Sequence, residues 1–296
     1  MLYKNPNLTS VSFIDPYLSI EWTMKGSNMM VRGTPGAGDF MFTMCSAIYA
    51  ANLLKTKINI IFYWDHDLEY EHNFEDPESI YQKLDWFYSR LYNNHLITYE
   101  HVTNFDLKKT FDGNMMLNLE QTAANKHSKN MPKGVSSWKF KKHLYDIEVF
   151  PKKVTVWRFK FNSAPPSSWK TEYDDAYWDN ICETLISKGY DVHIIDYRTP
   201  IREAFYHIQT SRFVMGYDGM WHYLARMLYK PTIITGSNSI VKMHNPQAIF
   251  FHSPKTDTLQ NNTLQQFINN IDVKLPELDD RCRAYKNKVD HIIENR

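Results

Sequence analysis

Residues 212 to 236 read RFVMGYDGMWHYLARMLYKPTIITG, and this stretch decides the fold. A short apolar run, Phe213 to Met215, leads into the glycine-rich Gly216-Tyr217-Asp218-Gly219. A helical pattern from Met220 to Tyr229 follows, then Lys230-Pro231 and a β-branched run from Thr232 to Thr235 that ends at Gly236. The pattern predicts strand, tight turn, helix and strand, which is one βαβ unit. In an open parallel sheet, ligands bind at the carboxyl ends of the strands. A helix that starts there offers unpaired N–H groups and the positive end of its dipole to an anion. His222 and Arg226 stand four residues apart and share a face of the helix. Two readings fit: a cradle for a phosphate-bearing ligand, or a scaffold βαβ with a surface histidine and arginine.

The same alternation continues on both sides. Upstream, Val154 to Phe159 predicts a strand, and the loop 162–170 carries two prolines, three serines and Lys170. A helix from Asp174 to Ser187, with Trp178, Ile181 and Leu185 inward, is closed by Lys188-Gly189. A strand from Asp191 to Asp196 and a helix from Pro200 to Thr210 complete that side. Downstream come a strand at Ala248 to His252, a helix from about Thr258 to Ile271, and a charged helix from about Asp279 to Glu294.

The amino-terminal half is similar. Asn28 to Arg32 predicts a strand entering Gly33-Thr34-Pro35-Gly36-Ala37-Gly38-Asp39. The helix that follows carries Phe40, Met44, Ala47, Ile48, Ala51 and Leu54 on one face, with Asp39 at the N-cap position. Lys57 to Trp64 reads as a buried parallel strand, residues 77–92 as an aromatic amphipathic helix opened by Pro77, and Leu96 to Val102 as a strand. Residues 1–27 suggest only a strand or hairpin at the domain edge. The composition resets at Pro151-Lys152-Lys153. The expectation is therefore α/β: two Rossmann-like, doubly wound domains, 1–150 and 151–296, facing a cleft, with the last helix able to pack back on the first domain.

Composition narrows the partners. A formal net charge of +1 over 296 residues gives no overall call for nucleic acid or an acidic membrane. Three dispersed cysteines, Cys45, Cys182 and Cys282, suggest reduced thiols rather than a disulfide framework. The amino terminus lacks a basic segment followed by an apolar core, and no apolar run approaches the roughly 20 residues of a membrane span. The expectation is a cytoplasmic protein. Asp65-His66-Asp67, at a strand end, reads either as a metal and sugar-diphosphate motif or as a polar loop. Lys126, Lys129, Lys133, Lys139, Lys141 and Lys142, with His127, His143 and Trp138, form a basic tract. Such a tract either tracks a phosphate backbone or is a solvated loop able to close over substrate.

Three short motifs resemble the heptosyltransferase family, GT-B glycosyltransferases that use nucleotide diphosphate sugars without a metal. Gly38-Asp39-Phe40-Met41-Phe42-Thr43 resembles the first. Val154 to Phe159, Lys170 and Trp178 resemble the opening of the family's second domain. Gly219, His222, Leu224, Ala225, Pro231 and Gly236 resemble its signature, except that Tyr217 stands where the family has an aspartate and Asp218 is one place later. The resemblance implies Asp39 as the base that takes the acceptor's proton. It places the donor on the second domain, near Lys170, Arg158, Gly216, Asp218, Gly219, Met220, His222 and Arg226, with Asp196 beside the nucleotide. It places the acceptor near Gly36, Gly38, Thr43, Trp64, Asp65 and Trp138. Metal and cofactor are both expected to be absent, and transfer in one step inverts the anomeric carbon. The acceptor is a saccharide or lipid-saccharide; a hydroxylated base in DNA is the alternative. A non-catalytic nucleotide-sugar-binding protein is a further alternative. A nicotinamide-dependent oxidoreductase fits poorly, because the first acid after the second strand is Asp65.

Overall fold

A computed structural model of the chain describes residues 2–3, 10–15, 20–25, 28–32, 57–63, 77–91, 94–102, 140–158, 175–196, 198–217, 219–235, 247–251 and 263–294. The chain divides into two compact units, Met1–Lys139 and Phe140–Arg296. The glycine-rich turn 33–39, the helix after it, Asp65-His66-Asp67 and most of the basic tract lie outside the described residues.

The first unit holds a six-stranded sheet in chain order: β1 (Leu2–Tyr3), β2 (Ser10–Asp15), β3 (Ile20–Lys25), β4 (Asn28–Arg32), β5 (Ile58–Tyr63) and β6 (Ile97–Val102). β4, β5 and β6 are parallel, whereas β1 to β4 pair antiparallel. The expected doubly wound first domain is thus corrected to a mixed sheet, in which an antiparallel ribbon extends a parallel trio. The physical reason lies in the spacing. Lys25 pairs with Asn28, which leaves only Gly26 and Ser27 between two strands, the length of a two-residue hairpin link. Central β5, INIIFY, is nearly all apolar, as expected of a strand flanked on both sides. Helix α1 (Pro77–Tyr88) buries Trp86 and Phe87.

The second unit is a five-stranded, all-parallel sheet: β7 (Lys153–Trp157), β8 (Asp191–Ile195), β9 (Phe213–Tyr217), β10 (Thr232–Thr235) and β11 (Ile249–Phe251). Helices α2 (Asp175–Ser187), α3 (Ile201–Thr210) and α4 (Met220–Met227) connect the first four of these strands. The spatial order is β11-β10-β9-β7-β8, so the chain reverses direction between β7 and β9. Right-handed crossovers then put α2 on one face and α3 and α4 on the other, the doubly wound arrangement. β7, β9 and β10 are buried along their whole length. Trp178, Ile181 and Leu185 of α2 are buried as their spacing predicts. Gly189, at φ +79°, closes α2 in a Schellman motif, with Tyr190 N–H donating to Leu185 O and Gly189 N–H to Ile186 O.

Residues 140–150, placed before the domain boundary by the sequence pattern, group with the second unit. Tyr145 donates its hydroxyl proton to Met227 O, Gln209 Nε2 donates to Leu144 O, and Phe150 N–H donates to Thr210 O. The carboxyl-terminal helices are α5 (Leu264–Asn269), opened by a Thr263/Gln266 capping box, and α6 (Ile271–Glu294). α6 begins eight residues earlier than its charge pattern predicts, and it lies across the amino ends of its own unit's strands. Asp272 accepts from Lys152 and Tyr190, just before β7 and β8. Asp279 pairs with Arg212, just before β9. Arg281 donates to Ala248 O before β11, and Tyr285 packs on Tyr229 before β10.

Gly216 is needed for close packing inside the sheet. It sits in β9 opposite Trp157 at φ +147°, and a Cβ there would lie 1.9 Å from Trp157 O. Gly216→Ala is therefore expected to lower unfolding stability by at least about 2 kcal/mol, through both clash and backbone strain, measured by urea denaturation.

Candidate functional site at the carboxyl ends of β7 and β9

Where an open sheet reverses its strand order, the two flanking connections diverge and leave a crevice at the strands' carboxyl ends. Here that place lies between Trp157-Arg158 and Gly216-Tyr217. α4 begins at the same end. Its N-cap residue Gly219 has φ +157° and no side-chain cap, so the first-turn amides are not satisfied by a capping side chain. A Cβ on Gly219 would stand 3.5 Å from the Trp157 indole Nε1. The indole thus walls the start of the helix, packed edge-on against Trp221 at 5.7 Å between ring centroids.

Arg158 follows β7 directly and is 3% exposed. Its backbone N–H donates to Ile195 O, tying the ends of β7 and β8 together. One guanidinium nitrogen, Nη1, donates to Asp179 of α2 at 2.7 Å, while Nε has no acceptor among the described residues. Asp179 itself is 59% exposed, so this buried cation is only partly compensated. An arginine with a spare donor at the end of β7 and an uncapped helix start after the neighbouring β9 each suit an anionic group.

The remaining residues expected at the site divide. His222 and Arg226 are not on the surface: they are 0% and 3% exposed. The His222 ring nitrogens face the Gly216 and Tyr217 backbone without closing a hydrogen bond of ordinary geometry. Burial lowers its pKa to about 4, against a smaller opposing pull from those two backbone groups, so the ring is neutral at pH 7. Arg226 lies over the Tyr223 ring at 5.2 Å. Met220 starts α4 and is 7% exposed. Tyr217, at the position where the resemblance expects an acid, is buried and accepts the Trp178 indole proton at 2.6 Å. Asp196, at the end of β8, uses Oδ1 to accept the Arg198 and Thr199 amides, which makes it a local turn-former. Asp39, Gly36, Gly38, Thr43, Trp64, Asp65, Trp138, Lys170 and Asp218 lie outside the described residues.

Sequence reasoning missed Trp157 and Asp179. Inside the run VTVWRF, Trp157 shows only as an apolar strand residue. Asp179 shows as one more polar residue on a helix, and no local signal ties either to the site. Among the described residues no three or more His, Cys, Asp or Glu side chains gather where they could hold a metal ion, and no helix is long and apolar enough to cross a membrane.

No protein-family model matches the chain, and no curated protein is similar to it in sequence. Among solved structures, the chain is similar to the iron-containing dodecameric glycosyltransferase TibC from enterotoxigenic E. coli. The identity is 12% and the TM-score 0.46, over 93% of this chain and 79% of that one. A second TibC structure, a heptosyltransferase in complex with ADP-D-beta-D-heptose, gives 12% identity and a TM-score of 0.43 over the same shares. The glycosyl transferase family 9 protein from Veillonella parvula gives 10% identity and a TM-score of 0.40, over 85% of this chain and 98% of that one.

The buried neutral histidine makes a pH prediction. A folded pKa of about 4, below the ordinary 6.5, means that the unfolded chain takes up this proton first as pH falls. The associated stability is present above pH 6.5 and is lost progressively down to about pH 4. At about 1.4 kcal/mol per pH unit the full loss is about 3 kcal/mol. Urea unfolding of wild type and His222→Leu between pH 4 and 7 should show this part of the acid slope in wild type alone.

Proposed function

We propose that the chain is a glycosyltransferase of the heptosyltransferase type, moving a sugar from a nucleotide diphosphate to a hydroxyl of a saccharide or lipid-saccharide. One observation carries this reading. The β9–α4 turn, whose Gly219, His222, Leu224, Ala225 and Pro231 match the family's signature, follows the strand that neighbours β7, which ends at the buried and partly compensated Arg158, at the sheet's reversal point. The diphosphate is bound there, against the Met220 and Trp221 amides of α4 and the Arg158 guanidinium, with Lys170 as a further donor. These fixed donors stabilise the charge that develops as the bond between the anomeric carbon and the diphosphate breaks. His222 is a positioning residue: neutral and buried, it shapes the Gly216–Tyr217 backbone rather than touching the phosphates.

Asp39 takes the proton of the acceptor hydroxyl as its oxygen bonds to the anomeric carbon. The diphosphate leaves with the electron pair, and the configuration inverts. A carboxylate at a helix start is held ionised, which makes it a weak base, so this assignment needs Asp39 shielded from water in the loaded enzyme. No metal takes part in this scheme. A net charge of +1 favours a saccharide acceptor over DNA, whose binding is dominated by phosphate neutralisation.

Calorimetry with nucleoside diphosphates and their sugars tests the donor half. Arg158→Gln should weaken diphosphate binding about tenfold to a hundredfold with circular dichroism unchanged, the value of one charge-assisted hydrogen bond. Equal affinity in the variant would remove the site from this end of the sheet. Asp39→Asn should cut transfer by about a hundredfold or more while donor affinity holds. Chelator should leave the rate unchanged; loss of activity restored by Mn²⁺ would shift the chemistry to Asp65-His66-Asp67.

A further inference from the structure

The second unit has a cavity of about 250 Å³ at the other end of its sheet, beside the turn from α4 to β10. Leu144, Ile147 and Val149 form one wall; Tyr229, Lys230 and Pro231 form another; Arg212 and Asp279 close it. Of its residues only Pro231 recurs in the site proposed above, as part of the signature sequence, and none is placed against the donor.

The charge balance of the cavity is specific. Arg212 is matched by Asp279 through both guanidinium nitrogens, Nη1 and Nη2, so that pair is neutral in sum. Lys230 is 7% exposed and makes no ion pair or side-chain hydrogen bond among the described residues. Its charged neighbour is the like-signed Arg212, and Cys282 beside it is a thiol whose pKa burial pushes up to about 12. Burial, then Arg212, lowers the Lys230 pKa to about 8, which still leaves the ammonium form predominant at neutral pH. A buried ammonium without a counter-ion is costly, and a bound anion would remove that cost.

Apart from Gln209, whose amide donates to Leu144 O, the rest of the cavity is apolar or aromatic. The Tyr229 ring stacks on Tyr145 at 5.6 Å and tilts against Tyr285 at 6.1 Å. To place it there, Tyr229 takes φ +54°, a left-handed position at the end of α4 where glycine is usual. Ile147 and Val149 are 38% and 42% exposed, so the apolar wall continues to an open lip. Strained, aromatic-lined positions of this kind cluster at ligand clamps.

We propose that this cavity binds a small organic monoanion, its carboxylate against Lys230 and its apolar body along Leu144, Ile147 and Val149. A dianion such as phosphate fits less well, because among the described residues of the wall one positive charge is uncompensated and the Asp279 carboxylate stands there too.

Calorimetry on the full chain at pH 7, with hexanoate as probe, tests the proposal. Hexanoate should bind at one site, with hexan-1-ol and inorganic phosphate each at least tenfold weaker. Lys230→Met, which keeps the aliphatic stem, should lose at least tenfold in hexanoate affinity. Ile147→Asp, at the exposed lip, should lose affinity by charge repulsion without harm to the fold, and it decides the matter if Lys230→Met does not fold. Equal binding of hexanoate and hexan-1-ol, phosphate binding as tightly as hexanoate, or undiminished binding in the folded variants would each overturn the proposal. The glycosyltransferase reading stands or falls separately, on diphosphate binding.

Discussion

Trp157 and Gly216 face each other across β7 and β9 with no room for a side-chain carbon between them, and the arrangement of the second unit follows from that contact. Strands at this separation bring the indole of Trp157 over the next glycine, Gly219, and against Trp221. The end of β9, the start of α4 and the end of β7 are thereby fixed around one aromatic residue. The chain reverses at the same place, so the crevice of the sheet adjoins this close backbone approach. A site built on strand ends held this way is preorganised.

The two ends of the sheet handle buried charge differently. At the carboxyl end Arg158 has, among the described residues, one well-exposed carboxylate partner, and His222 is neutral. At the amino end acids from α6 meet the basic residues that precede the strands, as in Lys152–Asp272 and Arg212–Asp279. Lys153 is satisfied instead by the Thr210 hydroxyl at 2.7 Å. Electrostatic complementarity is thus largely complete where the unit is sealed and incomplete where a substrate would enter. Lys230 is the exception at the sealed end.

Much of the second unit was legible in the sequence, because parallel strands buried on both faces give near-continuous apolar runs broken by glycine, proline and polar helix starts. The β9–α4–β10 unit follows its pattern to within two or three residues. Gly216 was legible as special, though its packing role was not. A glycine before a helix looks like a ligand turn, and only the partner strand, 59 residues earlier at Trp157, shows what its missing side chain accommodates. For His222 and Arg226 a ligand-facing and a surface reading both stood, because four-residue spacing says that they share a face, not that the face is buried. The antiparallel ribbon of the first unit did leave a signal, the two-residue Gly26-Ser27 link. Asp179 left none, since its pairing with Arg158 exists only after α2 packs. The proposed base Asp39 and the whole acceptor side rest on the sequence alone.

The course of α6 across the strand ends has a consequence for assembly. Its contacts include residues 152, 190, 212, 229 and 248, one just ahead of each of the five strands. It follows all of them in the chain, so a ribosome delivers every strand before the helix that clamps their ends together. Until α6 emerges, Arg212 lacks Asp279 and Lys152 lacks Asp272. Through that interval the strands must hold their pairing without these end contacts.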